Sequence, residues 1–284
     1  MLNCKDYAEL KKEYLKMRIV DHLFIRPHLT VIQIGDDAAS NSYIKGKQKD
    51  CEEVEIEFEH IKLDSDTSQD ALEDVISTLN VRRDVDGIIL QLPVPEHIDV
   101  KRIQRLIDPA KDVDGFNPES HFQPCTPLGV INYLKYNGYE FRGKNACVIG
   151  RSNIVGKPLA KMLLDLDCTV TICHSKSDLG SVLPCQDIIF TCIDKIEFFD
   201  KDFFAPYQDV IDIGLGRGKD GKLHGNLTTE ACEQLRKWKF ERREKLYTEI
   251  GGCFVISGIG GVGLLTRLEL LNNTFKAMVE RRLD

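Results

Sequence analysis

A two-domain α/β fold is predicted by three features of this 284-residue sequence. Apolar strand-like runs alternate with helical periods, a proline-rich stretch divides two such series, and a glycine loop at 150–156 joins a strand to a helix. Strands linked through helices run in the same direction, so the sheets are expected to be parallel.

The first series opens at LTVIQIG (29–35), an apolar run that ends at glycine, after which the chain takes up a helical period over 40–54. FEHIKLD (58–64) reads as a strand, SQDALEDVISTLN (68–80) as a helix, and VDGIILQL (85–92) as a strand stopped by Pro93 and Pro95. Gln91 thus sits at a carboxyl strand end, where open parallel sheets bind ligands. Residues 108–129, with Pro109, Pro118, Pro124 and Pro127, show little periodicity and mark a domain junction. The second series starts at NACVIG (145–150), passes through a helix at 157–166, and supplies buried strands at CTVTICH (168–174), DIIFTCI (187–193) and DVIDIG (209–214). The final amphipathic helix is expected to return to the first domain. The expected division is therefore 1–120, completed by 264–284, and 121–263.

The composition, 42% hydrophobic and 29% charged, is that of a globular chain. The formal charge of −7 argues against nucleic-acid binding. No apolar run reaches the roughly 20 residues of a membrane span, and MLNCKDYAELKKEYL has no signal-peptide pattern, so a cytoplasmic protein is expected. The ten cysteines show no CxxC pair, so no metal is expected.

GRSNIVG (150–156) lies where backbone N–H groups and a helix N-terminus cradle phosphate, although Ser152 replaces the middle glycine of GxGxxG and the last glycine comes one residue late. A tight packing turn without a ligand is the competing reading. Beyond the next strand the chain offers His174, Ser175, Lys176 and Ser177 where an NAD site would carry an acid. With Arg151 in the loop, this cluster suits the 2′-phosphate of NADP better than NAD.

On the 40–54 helix, Tyr43 and Lys47 are four residues apart and share a face, while Lys45 and Lys49 point elsewhere. A phenol beside an ammonium can orient it and favour loss of its proton, as acid/base work near neutral pH requires. In an arbitrary YxxxK the tyrosine merely packs beside a snorkelling lysine.

The sequence resembles the bifunctional methylenetetrahydrofolate dehydrogenase/methenyltetrahydrofolate cyclohydrolase family. The matching stretches, in the family's order, are GDDAASNSYIKGKQKDCEE, DGIILQLPVPEHID, DPAKDVDGFNP, PCTPLG, GRSNIVGKPLAKMLL, TVTICHSKS and VIDIGLGRGKDGKLHGNL. The resemblance implies a folate-binding catalytic domain and a Rossmann-like NADP-binding domain, with folate in a cleft. It implies NADP-dependent oxidation of 5,10-methylenetetrahydrofolate and hydrolysis of the methenyl product to 10-formyltetrahydrofolate, a donor for purine biosynthesis. Lys47 would be the central catalytic residue, assisted by Tyr43 and Gln91. Tyr43, Gln91, Asp114 and Gly261 would bind folate, with Asp114 accepting from the pterin edge. Gly150, Arg151, Ser152, Ile154, Gly156, His174 and Ser175 would bind the cofactor. A homodimer is implied as well.

The chain departs from the family in ISGIGGVGLLT (256–266), which lacks the prolines of TPVPGGVGPMT and is expected to be a looser loop. TCIDKIEF (191–198) brings Asp194 into a segment that is usually AxGxP-like, NCK (3–5) replaces DGK, and Glu55 stands where glycine is common. These changes leave two alternatives open: a cyclohydrolase with weak or lost dehydrogenase activity, and a non-catalytic folate-binding or interaction homologue.

Overall fold

The computed structural model describes residues 3–22, 25–245, 255–256 and 261–283. Two compact units are formed, Asp6–Cys125 with Thr266–Asp284, and Met1–Lys5 with Thr126–Leu265.

In the first unit, β1 (His28–Ile34) is buried along its whole length because parallel neighbours flank it on both sides. These are β2 (Glu57–Leu63) and β3 (Gly87–Leu90), giving the order β2-β1-β3. Helix α1 (Cys4–Asp21) contributes Leu15 and Ile19, and α2 (Ala38–Glu53) contributes Ile44 and Cys51, to a core shared with Leu29 and Val31. Leu72, Ile76 and Leu79 of α3 (Gln69–Val81) pack with Ile103 of α4 (Val100–Leu106) in a second core, together with Ile32 and Ile88.

Two local signals fix the ends of α2. Asp37 caps its start by accepting from the Ser40 amide at 2.7 Å, and the helix stops at Val54. Glu55 follows with φ 67°, the left-handed conformation that explains why glycine is usual at this place. Its carboxylate is met by Arg26 at 3.1 Å and Lys16 at 3.6 Å.

The junction segment is more ordered than its prolines suggest. Lys111 is fully buried and donates to the carbonyls of Leu79 (2.8 Å) and Arg82 (2.6 Å) at the end of α3, and Cys125 already begins α5 (Cys125–Tyr136).

The second unit is a parallel sheet of order β10-β7-β6-β4-β5. Its strands are β4 (Asn145–Ile149), β5 (Thr169–Cys173), β6 (Ile188–Thr191), β7 (Asp209–Asp212) and β10 (Val255–Ile256). Helix α6 (Gly156–Leu164) links β4 to β5, and the short α7 (Leu179–Val182) precedes β6. CTVTICH, expected as a buried strand, is instead the sheet edge, and Ile172 is 42% exposed. The antiparallel hairpin β8 (Leu215–Arg217) and β9 (Leu223–Gly225) was not anticipated, because three-residue strands are too short to show a period. Helix α8 (Thr229–Lys245) follows it.

The last helix, α9 (Gly263–Arg282), returns to the first unit as expected. Leu270, Leu271, Phe275 and Met278 enter the core around β1, and the Asn273 amide donates to the Val113 carbonyl at 2.9 Å. At its far end Arg281 and Arg282 grip Asp86, which is fully buried and also accepts from the His28 amide at 2.9 Å. Removing one partner of a buried pair strands the other charge. Asp86→Ala is therefore expected to cost about 3 kcal/mol, read as a lower urea midpoint with an unchanged slope.

Candidate active site

Helix α2 and strand β3 place the central residues of the first unit. One face of α2 turns Lys47 inward, leaving it 6% exposed, while Lys45 and Lys49 face solvent as the helical spacing requires. The Lys47 Nζ donates to Gln91 Oε1 at 3.1 Å. Gln91 is aimed by its other end, since its Nε2 donates to the Leu92 carbonyl at 2.7 Å and leaves the oxygen for Lys47. Its backbone N–H extends the sheet by donating to Ile32 at 2.8 Å.

Asp114 is set by the residue after it. Gly115 has φ 73°, and a Cβ there would come within 2.6 Å of the Phe122 carbonyl, so only glycine permits this turn. The thiol of Cys125 donates to the carbonyl of Val113, the residue before Asp114, at 3.3 Å. Burial pushes the Asp114 carboxyl up and the Lys47 ammonium down, and the attraction between the two opposes both shifts.

Tyr43 lies with its ring centroid 5.3 Å from the Lys47 Nζ. The expected reason for a shifted Lys47 is thereby corrected. A cation over an aromatic face is stabilised, so the tyrosine does not favour proton loss, and desolvation is the largest cause of the lowered pKa. Burial also raises Tyr43 to about 12, so its hydroxyl stays protonated.

Three participants were not read from the sequence. Thr266 hydrogen-bonds the Tyr43 hydroxyl, Arg267 lies 5.9 Å from the Tyr43 ring centroid, and Cys125 fixes the Val113 carbonyl next to Asp114. PCTPLG contained the cysteine and the 256–266 loop contained Thr266, but nothing local signals Arg267. Gly261 is buried just before α9; residues 257–260, which belong to the proline-free loop, lie outside the described residues.

In the second unit the loops after β4, β5 and β6 share one carboxyl edge. The Gly150 amide donates to Cys173 at 2.9 Å, and the Cys192 amide to Ile149 at 2.9 Å, which lines Gly150 up with His174 and Ser175. Both loop glycines are demanded by close approach. A Cβ on Gly150 would meet the Cys192 carbonyl at 2.3 Å, and one on Gly156 would meet the Gly150 carbonyl at 2.3 Å. Arg151, Ser152 and Ile154 are exposed, and Ser175 and Lys176 are exposed beside half-buried His174.

Ser152 does work that the glycine pattern hid: its Oγ accepts from the amides of Val155 (3.2 Å) and Gly156 (3.3 Å), capping the start of α6. In the next loop Asp194 is exposed, and the path is held by Asn226, which donates to the carbonyls of Ile193 (2.8 Å) and Lys195 (2.6 Å). Among the described residues, no group of three or more His, Cys, Asp or Glu could hold a metal, and no helix is long and apolar enough to cross a membrane.

A Rossmann-like parallel sheet with a glycine loop at its carboxyl edge, in a chain that also buries a lysine beside a glutamine and a carboxylate, defines a nucleotide-dependent enzyme class. Family profiles for the tetrahydrofolate dehydrogenase/cyclohydrolase catalytic domain and NAD(P)-binding domain match residues 2–114 and 124–239. The chain belongs to the tetrahydrofolate dehydrogenase/cyclohydrolase family.

Bifunctional protein FolD of Ruminiclostridium cellulolyticum is 39% identical over 292 residues, covering 98% of this chain and 97% of its own. The solved bifunctional enzyme FolD of Campylobacter jejuni superposes with a TM-score of 0.88 at 35% identity, covering 98% of each chain. The Trypanosoma brucei enzyme, solved with NADP and an inhibitor, gives 0.86 at 25% identity, covering 100% of this chain and 98% of that one.

The glycine loop generates a specific expectation. Gly150→Ala forces its Cβ onto a backbone carbonyl and must displace the loop, so dinucleotide affinity should fall by at least about tenfold, a loss of about 1.4 kcal/mol, in a fluorescence titration. The first unit should be untouched, with the Lys47 environment unchanged.

Proposed function

We propose that this protein oxidises 5,10-methylenetetrahydrofolate to 5,10-methenyltetrahydrofolate with NADP⁺ and hydrolyses the product to 10-formyltetrahydrofolate. The observation that carries this reading is the desolvated lysine: Lys47 is buried, bonded to Gln91 and opposed by Asp114 in a chain of this family.

NADP⁺ supplies the hydride acceptor for the first step. Gly150, Arg151, Ser152, Ile154 and Gly156 would hold it with His174 and Ser175, whose neighbours Arg151 and Lys176 supply the positive charge that a 2′-phosphate requires. The absence of an acid from CHSKS favours NADP over NAD.

In the second step the chain's own groups move protons. Burial lowers the Lys47 pKa, so its neutral amine is available at a lower pH than that of an exposed lysine. The amine takes one proton from water as the oxygen attacks the methenyl carbon, and returns it to the pterin nitrogen as the carbon–nitrogen bond opens; the second water proton leaves the new hydroxyl to solvent as the formyl C=O forms, so the cation and water give a neutral product and one released proton. Gln91 holds the amine in place, Asp114 accepts from the pterin edge, and Tyr43 packs against the ring, with Gly261 contributing backbone to the same substrate.

A homodimer acting in the cytoplasm completes the proposal. Its support is the exposed apolar pair Leu215 and Leu223 on the β8–β9 hairpin and the free state of the nine described cysteines, as a reducing compartment maintains.

The test is a spectrophotometric assay with methylenetetrahydrofolate and either nucleotide, following reduced nicotinamide and the methenyl species together. NADP⁺ should be reduced faster than NAD⁺, and the methenyl signal should then decay. Lys47→Met should slow that decay by about 10²–10⁴-fold. Hydrolysis of supplied methenyltetrahydrofolate without reduction of either nucleotide would confine the protein to the second reaction.

A further inference from the structure

Arg267 is not accounted for by the chemistry above, yet it lies in the same side-chain cluster. Its guanidinium is held by Asp50, a residue 217 positions away on α2 and itself buried. The other Asp50 oxygen accepts from Lys12 of α1 at 3.2 Å, and Lys12 also binds Glu53 at 2.6 Å. The guanidinium runs along Gly46, where a Cβ would already touch it at 3.5 Å, so a longer side chain on this face would fill its path. This route leads it to the Tyr43 ring, the same ring that Lys47 faces.

We propose that Arg267 is a positioning residue of the hydrolytic site: anchored by Asp50 and laid along bare Gly46, it keeps a permanent positive charge beside Tyr43 and Lys47. An arginine suits the task because its guanidinium does not titrate near neutral pH. The inference rests on Lys47 acting as the proton carrier.

The groups facing Lys47 can be separated by sign. Asp114 from the junction turn favours its charged form, while Arg267 from α9 opposes it; the thiols of Cys125 on α5 and Cys51 on α2 are kept protonated by burial and carry no charge there. Tyr43 offers a ring face and Gln91 an acceptor oxygen, neither charged. Asp112 acts on Asp114, and Glu269 on Cys125, at one remove. Arg267 is therefore the one cation in this set that works against protonation of Lys47. Taking it away lets Lys47 keep its proton to a higher pH.

The decisive comparison is Arg267→Gln combined with Asp50→Asn against Asp50→Asn alone, so that loss of the Asp50 charge is common to both and only the cation differs. Arg267→Lys keeps the charge and serves as the control if the double variant melts early. The Lys47 amine is titrated directly by nitrogen-15 NMR, with Lys47→Met giving the assignment, and the pH profile of methenyltetrahydrofolate hydrolysis is measured in parallel.

The expected result is an upward move of the Lys47 titration in the double variant, relative to Asp50→Asn alone, by about one pH unit, with the rising limb of the rate following it. That is about a tenfold lower rate at a fixed pH below the limb. Arg267→Lys should stay near wild type. A Lys47 titration that is the same in the folded double variant as in Asp50→Asn alone overturns the inference, whatever the protein's activity. A titration that moves while the rate profile does not upholds the charge assignment and removes Lys47 from the hydrolytic step.

Discussion

The burial of one amine is the constraint around which the first unit is arranged. A lysine taken out of water loses several kcal/mol of solvation and relieves the loss by releasing its proton, unless neighbours hold it charged. Two unit charges 4 Å apart at an effective dielectric near 20 interact by about 4 kcal/mol, the same order as that loss. Neighbouring charges therefore act on the same scale as the loss itself. Here desolvation outweighs the attraction of Asp114, Arg267 adds a smaller push in the same direction as desolvation, and Gln91 fixes where the nitrogen sits. Each of these residues is in turn set by backbone that has no freedom: the Leu92 carbonyl for Gln91, the left-handed Gly115 for Asp114, and the start of α9 for Arg267.

Local features of the sequence carried most of the fold and half of this site. The strands around β1 and β4 are apolar runs bounded by glycine or proline, so hydrophobic pattern alone locates them. The Tyr43–Lys47 pair follows from helical spacing, and the family motifs name Gln91 and Asp114. Arg267 escaped because its partner lies on another helix far away in sequence, and no local pattern records such a pairing. The β5 edge escaped for a related reason: strand order is a property of the whole sheet, while CTVTICH has the same composition in the centre or at the border.

The reading of Tyr43 shows that a neighbour can be found from sequence while the sense of its effect is not. Proximity to Lys47 was legible, but the part of the ring that the nitrogen faces was not, and that geometry sets the sign of the effect. The same distinction applies to GRSNIVG. Its failure to match GxGxxG looks like a weakened loop, yet Gly150 and Gly156 are both required by backbone approach, and Ser152 supplies a helix cap that glycine cannot. With those amides capped internally, the proposed recognition of the dinucleotide leans on side chains, which is consistent with Arg151 and the His174–Ser175–Lys176 cluster at one sheet edge.

The chain order has a consequence for this chemistry. The second unit is inserted between Cys125 and Thr266, and both of these junction residues border the proposed catalytic group: Cys125 donates to the Val113 carbonyl beside Asp114, and Thr266 bonds Tyr43. Asn273 reinforces one side of the junction by donating to the carbonyls of Val113 and Gln123. The places where the backbone leaves and re-enters the first unit are thus the places where its reactive side chains are oriented. Substitutions beside either junction are therefore expected to reach Asp114 or Tyr43, and through them the buried amine, at the same time as the core to which Cys125 itself belongs.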